Sequence, residues 1–176
     1  MSPRFVADCM VGRLAKWLRA LGFDVVYGPF ADDRQVVAWA KERGAVLLTR
    51  DTRLASANGG ASARSRQSPG VRVIFLKDDH VEDQLQQVVE ETPLDLTQAR
   101  PLTRCIACNG DLAPATRDQV WRRVPPFIYL TQERYARCED CGRVYWEGTH
   151  AARMAERLAE LARRVGWEDR GGRAGL

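Results

Sequence analysis

Along the first half of the chain the apolar positions switch between two periods. Arg4 to Ala7 is a short extended run, after which Leu14, Trp17, Leu18 and Leu21 recur at the spacing of one helix face. Phe23 to Tyr27 is again β-branched and aromatic, Val36, Val37 and Ala40 form a second helical stripe, and Ala45 to Thr49 reads as a third strand. Gly22 and Gly44 stand where the two helices should stop. Thr52 to Ala57 suits a short helix, Val71 to Leu76 a fourth strand, and Val81, Leu85, Val88 and Val89 a further helix ended by Thr92-Pro93. The small, polar stretch 58–70, with Arg64 and Arg66, reads as a mobile loop. Strict strand-helix alternation with short links predicts right-handed crossovers, hence an α/β fold with a parallel sheet flanked by helices on both faces.

All strands of such a sheet point the same way. The ends of strands one and three and the start of the helix after strand two therefore share one edge, where open α/β sheets place their ligands. Asp8, Asp33 and Asp51 fall on that edge. Asp33 precedes Val36 and Val37 by three and four residues, which predicts that it shares their inward face while Asp32 points away. Taken singly, either residue also reads as a helix cap or a partner of the helix dipole. Three carboxylates on one edge repel one another unless a cation sits between them, and hard oxygen ligands select Mg²⁺ or Mn²⁺. That chemistry suits phosphodiester hydrolysis. Asp78 is a candidate fourth ligand, and Asp79 with Glu82 predicts a capping box before the last of these helices. Arg13, Lys16 and Arg19 form an arc opposite the apolar stripe of the first helix, to be read either as a phosphate track or as an ordinary solvent-facing surface.

The composition changes after Thr92-Pro93, and residues 94–103 read as a linker. Cys105-Ile106-Ala107-Cys108 and Cys138-Glu139-Asp140-Cys141 are two Cys-x-x-Cys knuckles, each followed by a glycine in position to permit a tight turn. Four thiolates in two such pairs predict a structural, tetrahedral zinc with no position left open for water. Such a small module buries little core, so the metal should supply much of its folding free energy. Trp121 to Val124 and Phe127 to Leu130, on either side of Pro125-Pro126, read as strands of a zinc ribbon. Tyr145 and Trp146 either fill its small core or, interleaved with arginines, stack on unpaired bases. His150 is a general acid or RNA contact if the ribbon folds back over the sheet edge, and otherwise a polar residue at a helix start. Residues 151–165 read as a helix with Met154, Leu158 and Leu161 inward, followed by a flexible Gly- and Arg-rich tail. These shifts place units at 1–95, 96–150 and 151–176.

Charge refines this picture only slightly. The 176 residues carry a formal charge of +4; residues 1–99 are balanced at thirteen basic and thirteen acidic side chains, so the excess belongs to the second half. That suits a polyanionic partner and a solvated surface about equally. No segment approaches membrane-spanning length and no signal peptide precedes Arg4, so the expectation is a cytoplasmic protein without a membrane partner.

Asp8, the run Gly12-Arg13-Leu14-Ala15-Lys16-Trp17-Leu18-Arg19-Ala20-Leu21-Gly22-Phe23-Asp24, Leu48-Thr49-Arg50-Asp51, and the knuckles with Val144-Tyr145-Trp146 and Gly148-Thr149-His150 resemble the Mut7-C family, a branch of the PIN-like ribonucleases with a C-terminal zinc ribbon. The resemblance spans about Arg4 to Met154. It implies a PIN-like nuclease domain over 1–95 in which Asp8, Asp33 and Asp51 hold catalytic Mg²⁺ or Mn²⁺ and RNA is cut by metal-activated water. Beside the resemblance, the residues themselves suggest Arg13, Lys16, Arg19 and Arg50 as phosphate contacts and Trp146 and His150 as RNA contacts, on a ribbon whose zinc is held by Cys105, Cys108, Cys138 and Cys141. RNA is the implied partner, with tRNA and ribosome-associated RNA among the classes open, as is a protein inhibitor masking the acidic edge. The alternative is a non-catalytic RNA- or ribosome-binding adaptor.

Overall fold

The computed structural model describes residues 3–28, 30, 32–58, 71–94, 99–146 and 148, together with positions 156, 157, 159, 160, 163 and 164. Four parallel strands, β1 (Phe5–Ala7), β2 (Val25–Tyr27), β3 (Val46–Thr49) and β4 (Arg72–Phe75), form a sheet in the order β2-β1-β3-β4. The intervening helices are α1 (Gly12–Ala20), α2 (Asp33–Arg43), α3 (Thr52–Ala57) and α4 (Val81–Glu91). Gly22 and Gly44 close α1 and α2 in the left-handed conformation, φ 89° and 57°, as their positions in the sequence predict.

Alternation along each strand sorts the core into two layers. Phe5, Ala7, Leu48 and Ile74 pack with Leu14 and Leu18 of α1 and Leu85 and Val88 of α4, whereas Val6 and Leu47 pack with Val36 and Ala40 of α2 and Leu54 of α3. The chain therefore leaves β1 toward one face and β3, its neighbour, toward the other. This divergence makes the C-terminal ends of β1 and β3 a topological switch point, where open α/β sheets hold their ligands.

The second sheet is antiparallel, in the order β5 (Leu112–Ala115), β6 (Tyr135–Cys138), β7 (Val144–Trp146). Its connections correct the sequence reading. Trp121 to Val124 is a turn, not a strand; it follows the short helix α5 (Arg117–Val120), and Phe127 to Leu130 lies in α6 (Pro126–Thr131). Thr116 and Gln119 form a reciprocal capping box that starts α5, and Pro126 occupies the first turn of α6, where its missing N–H costs nothing. Four residues apiece are too few for apolar periodicity to separate strand from helix.

Arg19 supplies the second correction. It is only 2% exposed, not part of a solvent-facing cationic arc. Its Nε donates to the Val25 carbonyl (3.0 Å) and its Nη2 to the Tyr27 carbonyl (3.3 Å), both on the edge strand β2. Its Nη1 donates to the carbonyls of Ile106 (3.1 Å) and Ala107 (2.8 Å) inside the first cysteine knuckle. Asn109 completes the joint: its Oδ1 accepts from the Val25 N–H at 3.0 Å and its Nδ2 donates to Asp24 at 2.7 Å. The ribbon thus covers a sheet edge that would otherwise present open backbone groups. Replacing Arg19 by alanine leaves four carbonyls without this donor and should lower stability by about 2–4 kcal/mol. Arg19→Lys should not restore it, because one ammonium cannot span all four acceptors. Chemical unfolding of the three proteins checks both statements; equal midpoints would refute this role for the guanidinium.

The described positions between 156 and 164 are helical and exposed, with Arg157 and Arg164 each 4.0 Å from acids of the first turn of α4, Glu82 and Asp83. His150, Met154, Leu158, Leu161, the 59–70 stretch with Arg64 and Arg66, and the tail lie outside the described residues. Among the described residues no helix is long and apolar enough to cross a membrane.

Candidate functional site

Asp8 directly follows β1, and Asp51 follows β3 after the single residue Arg50, so the two stand at the ends of the adjacent strands that flank the switch point. Each caps a turn. Asp8 Oδ1 accepts from the Met10 N–H at 2.6 Å, and Asp51 Oδ1 accepts from Arg53 and Leu54 N–H at 2.7 and 3.0 Å. Thr49, fully buried at the end of β3, joins them: its hydroxyl donates to Asp8 Oδ2 and accepts from the Asp51 N–H at 2.9 Å. Asp8 is itself 4% exposed, so this donor compensates a carboxylate withdrawn from water. Thr49→Val should cost about 1–3 kcal/mol by stranding that oxygen, while Thr49→Ser should retain most of the stability. Thermal melts of the pair test this, and a valine variant as stable as the parent would remove Thr49 from the site.

Asp33 stands apart from this pair. Asp32 is the N-cap of α2, its Oδ1 accepting from the Gln35 N–H at 2.9 Å, and Asp33 is the first helical residue. The whole first turn, 32–35, is exposed, and Val36 is the first buried position, so Asp33 is not on the inward face predicted from its spacing. Among the described residues the three aspartates do not gather into a set whose oxygens all lie within 4.8 Å of one another. Arg50, between Thr49 and Asp51, is ion-paired with Asp79. The capping box expected of Asp79 and Glu82 is consequently absent: His80 holds the N-cap position of α4 without a side-chain cap, and Gln84 Nε2 donates to the Asp78 carbonyl at 2.8 Å. Arg13 and Lys16 are exposed on α1, one turn beyond Asp8.

The four knuckle cysteines form the one group of metal-ligating side chains among the described residues that meets within 4.8 Å. Cys105 and Cys141 sulfurs are 3.6 Å apart and those of Cys108 and Cys138 3.4 Å, near the roughly 3.8 Å edge of a zinc-thiolate tetrahedron and far beyond a disulfide. The knuckles are built alike. Cys105 O accepts from the Asn109 N–H (2.8 Å) and Cys138 O from the Gly142 N–H (3.0 Å), with both donor residues left-handed at φ 74° and 70°. The first knuckle therefore turns on Asn109 rather than on Gly110. Gly110 instead admits a close approach, because a Cβ there would stand 2.2 Å from Asp140 Oδ2 and 3.0 Å from Cys138 Sγ.

Thiol electrostatics favour a cation. Burial raises the Cys105 thiol, but the Tyr145 hydroxyl 3.0 Å from its sulfur and the backbone N–H groups of Cys108 and Ala107 outweigh it and bring the group down to about 6. Burial pushes Cys108 up to about 12 and also raises Cys138. Four sulfurs this close ionise together only around a positive ion, and the donor set, spacing and backbone N–H bonds all fit Zn²⁺. Burial lowers the Arg19 guanidinium from its ordinary value, while the charges of Cys108 and Cys105 oppose that shift, so the same arginine also counters thiolate charge.

Tyr145 is thus tied to the cysteine cluster. Trp146 is half-buried and packs on the ribbon core of Val120, Val124 and Tyr135, favouring the core side of its two readings. Thr49 and the Thr116–Gln119 box were missed from the sequence. The Thr-x-x-Gln signal was available, whereas nothing local tells that Thr49 reaches an aspartate 41 positions away.

No curated protein and no solved structure matches this chain. The family model described as "Mut7-C RNAse domain" matches residues 3–158, from the start of the parallel sheet past the second knuckle. On that match the chain belongs to the Mut7-C RNAse domain family, with a ribonuclease-type, RNA-related function.

Proposed function

We propose that the chain is a Mg²⁺- or Mn²⁺-dependent ribonuclease that hydrolyses RNA phosphodiester bonds at the C-terminal ends of β1 and β3, with the zinc ribbon holding the RNA. The observation that carries this reading is the pair Asp8 and Asp51 at the ends of the adjacent strands that flank the topological switch point, coupled through one buried hydroxyl. Asp8 and Asp51 would hold the ion, and Asp33, at the start of α2 on the same edge, is the candidate third ligand. Bound there, a hard divalent cation supplies Lewis acidity toward a phosphate oxygen and makes water nucleophilic near neutral pH. Thr49 holds the Asp8 carboxylate in place, and exposed Arg13 and Lys16 lie where a phosphate chain entering over α1 would pass. Arg50 would move from Asp79 to phosphate. The division of labour follows the proposed boundary between 1–95 and 96–150.

The test is incubation of labelled RNA with the purified chain, with and without Mn²⁺ or Mg²⁺, beside the Asp8→Asn and Asp51→Asn variants. Cleavage that needs both the metal and the carboxylates is the expected result. The adaptor reading is kept alive by one observation: both aspartates cap turns, and the three carboxylates are not gathered. It predicts RNA that shifts on a gel, is never consumed, and stays bound after Mg²⁺ is removed.

A further inference from the structure

Of the four large apolar side chains exposed among the described residues, three lie in one stretch of the ribbon: Trp121 (57%), Phe127 (71%) and Leu130 (73%). Helix α6 contributes no fully buried residue, and Phe127 and Leu130, three apart, share its outer face. Trp121 meets Tyr129 edge-on, with centroids 4.9 Å apart and planes at 66°, which leaves the indole largely open. Arg117 ties the arrangement together, donating to the carbonyls of Tyr129 (2.7 Å) and Leu130 (3.3 Å) with its guanidinium 5.2 Å from the Tyr129 ring centroid. The turn between α5 and α6 puts Arg122 in the left-handed region, φ 59°, a conformation unusual for a residue with a side chain. Arg122 and Arg123 are both exposed beside Trp121. From Leu112 to Tyr135 there are five arginines and only two acids, so the stretch that carries these exposed side chains is net positive.

We propose that this stretch of the ribbon binds unpaired nucleotides of an RNA strand, with bases stacked on Trp121 and Phe127 and phosphates met by Arg117, Arg122 and Arg123. Open aromatic faces suit splayed bases, which expose π surfaces that a duplex keeps stacked, and arginine suits the phosphates between them. The net positive charge of the stretch favours this occupant over an uncharged protein surface. The proposal rests on RNA being the ligand, as in the ribonuclease reading, but not on cleavage. It transfers the base contact expected of Trp146 to a different surface.

The experiment measures the affinity of zinc-loaded full-length chain for a labelled, unstructured oligouridylate and for a duplex of equal length, by fluorescence anisotropy without Mg²⁺ or Mn²⁺. Trp121→Ala should weaken single-strand binding about tenfold, the size of one lost base stack. Phe127→Ala, at an exposed position that needs no repacking, should weaken it several-fold, while Trp121→Phe retains most of the affinity. Duplex binding should change little in any variant. Zinc content and melting temperature establish that each variant is folded. Unchanged single-strand affinity in both alanine variants would overturn the proposal and leave the stretch to a protein partner. Because no catalytic metal is present, an inactive Asp8 site alters none of these readings.

Discussion

Asp8→Asn should lower metal-dependent RNA hydrolysis by at least about a thousandfold, since losing one carboxylate ligand removes several kcal/mol of transition-state stabilisation and each 1.4 kcal/mol or so is a factor of ten. The substitution also disturbs folding. Asp8 accepts hydrogen bonds on both oxygens, from Met10 and from Thr49, and an amide turns one acceptor into a donor, at a cost of about 1–2 kcal/mol. Asp51→Asn is the cleaner variant, because asparagine caps helices about as well as aspartate and α3 should keep its start. Its hydrolysis should fall comparably with a nearly unchanged melting temperature. Asp33→Asn, exposed in the first turn of α2, should alter stability by only a few tenths of a kcal/mol, so its effect on cleavage decides whether the third aspartate belongs to the site. Full cleavage by both Asp8 and Asp51 variants, measured on labelled RNA, would remove this sheet edge from the chemistry.

Loss of zinc should be as severe for the ribbon as loss of Asp8 should be for the proposed hydrolysis. Cys138→Ser removes a fully buried ligand, and structural zinc supplies on the order of 10 kcal/mol to modules of this kind, so β5–β7 should unfold. The damage should spread to the parallel sheet, because Arg19 then loses the Ile106 and Ala107 carbonyls and β2 loses the Asn109 cover. Metal analysis should find less than one zinc per chain, and circular dichroism a loss of strand. A variant that keeps its zinc and its melting temperature would contradict the four-cysteine centre. Metal uptake should release protons, since Cys108, pushed up to about 12, and the likewise raised Cys138 are protonated at neutral pH without the ion. Protons and zinc compete for the same sulfurs, so apparent zinc affinity should rise with pH and fall toward acid.

What the sequence by itself determined are the features written in neighbouring residues. In the first half strand and helix alternate in the order read from periods of two and 3.6, Gly22 and Gly44 end their helices, and paired Cys-x-x-Cys knuckles announce their four-sulfur cluster. Topology extends this reach: once the sheet is parallel, Asp8 and Asp51 must end on one edge. Only the tertiary structure decided the rest, because it depends on partners far away in the chain. Arg19 carries the pattern of a surface cation, yet its acceptors include carbonyls 87 and 88 positions on, and burying it becomes favourable only when β2 and the first knuckle present those oxygens together. Thr49 looks like a strand end until folding brings Asp8 to its hydroxyl. Trp121 and Trp146 are alike as aromatic residues among arginines; the packing of β7 on Val120, Val124 and Tyr135 half-buries one, and the turn after α5 leaves the other open. Local pattern reports what a segment can form, but burial and long-range hydrogen bonding exist only after distant segments meet.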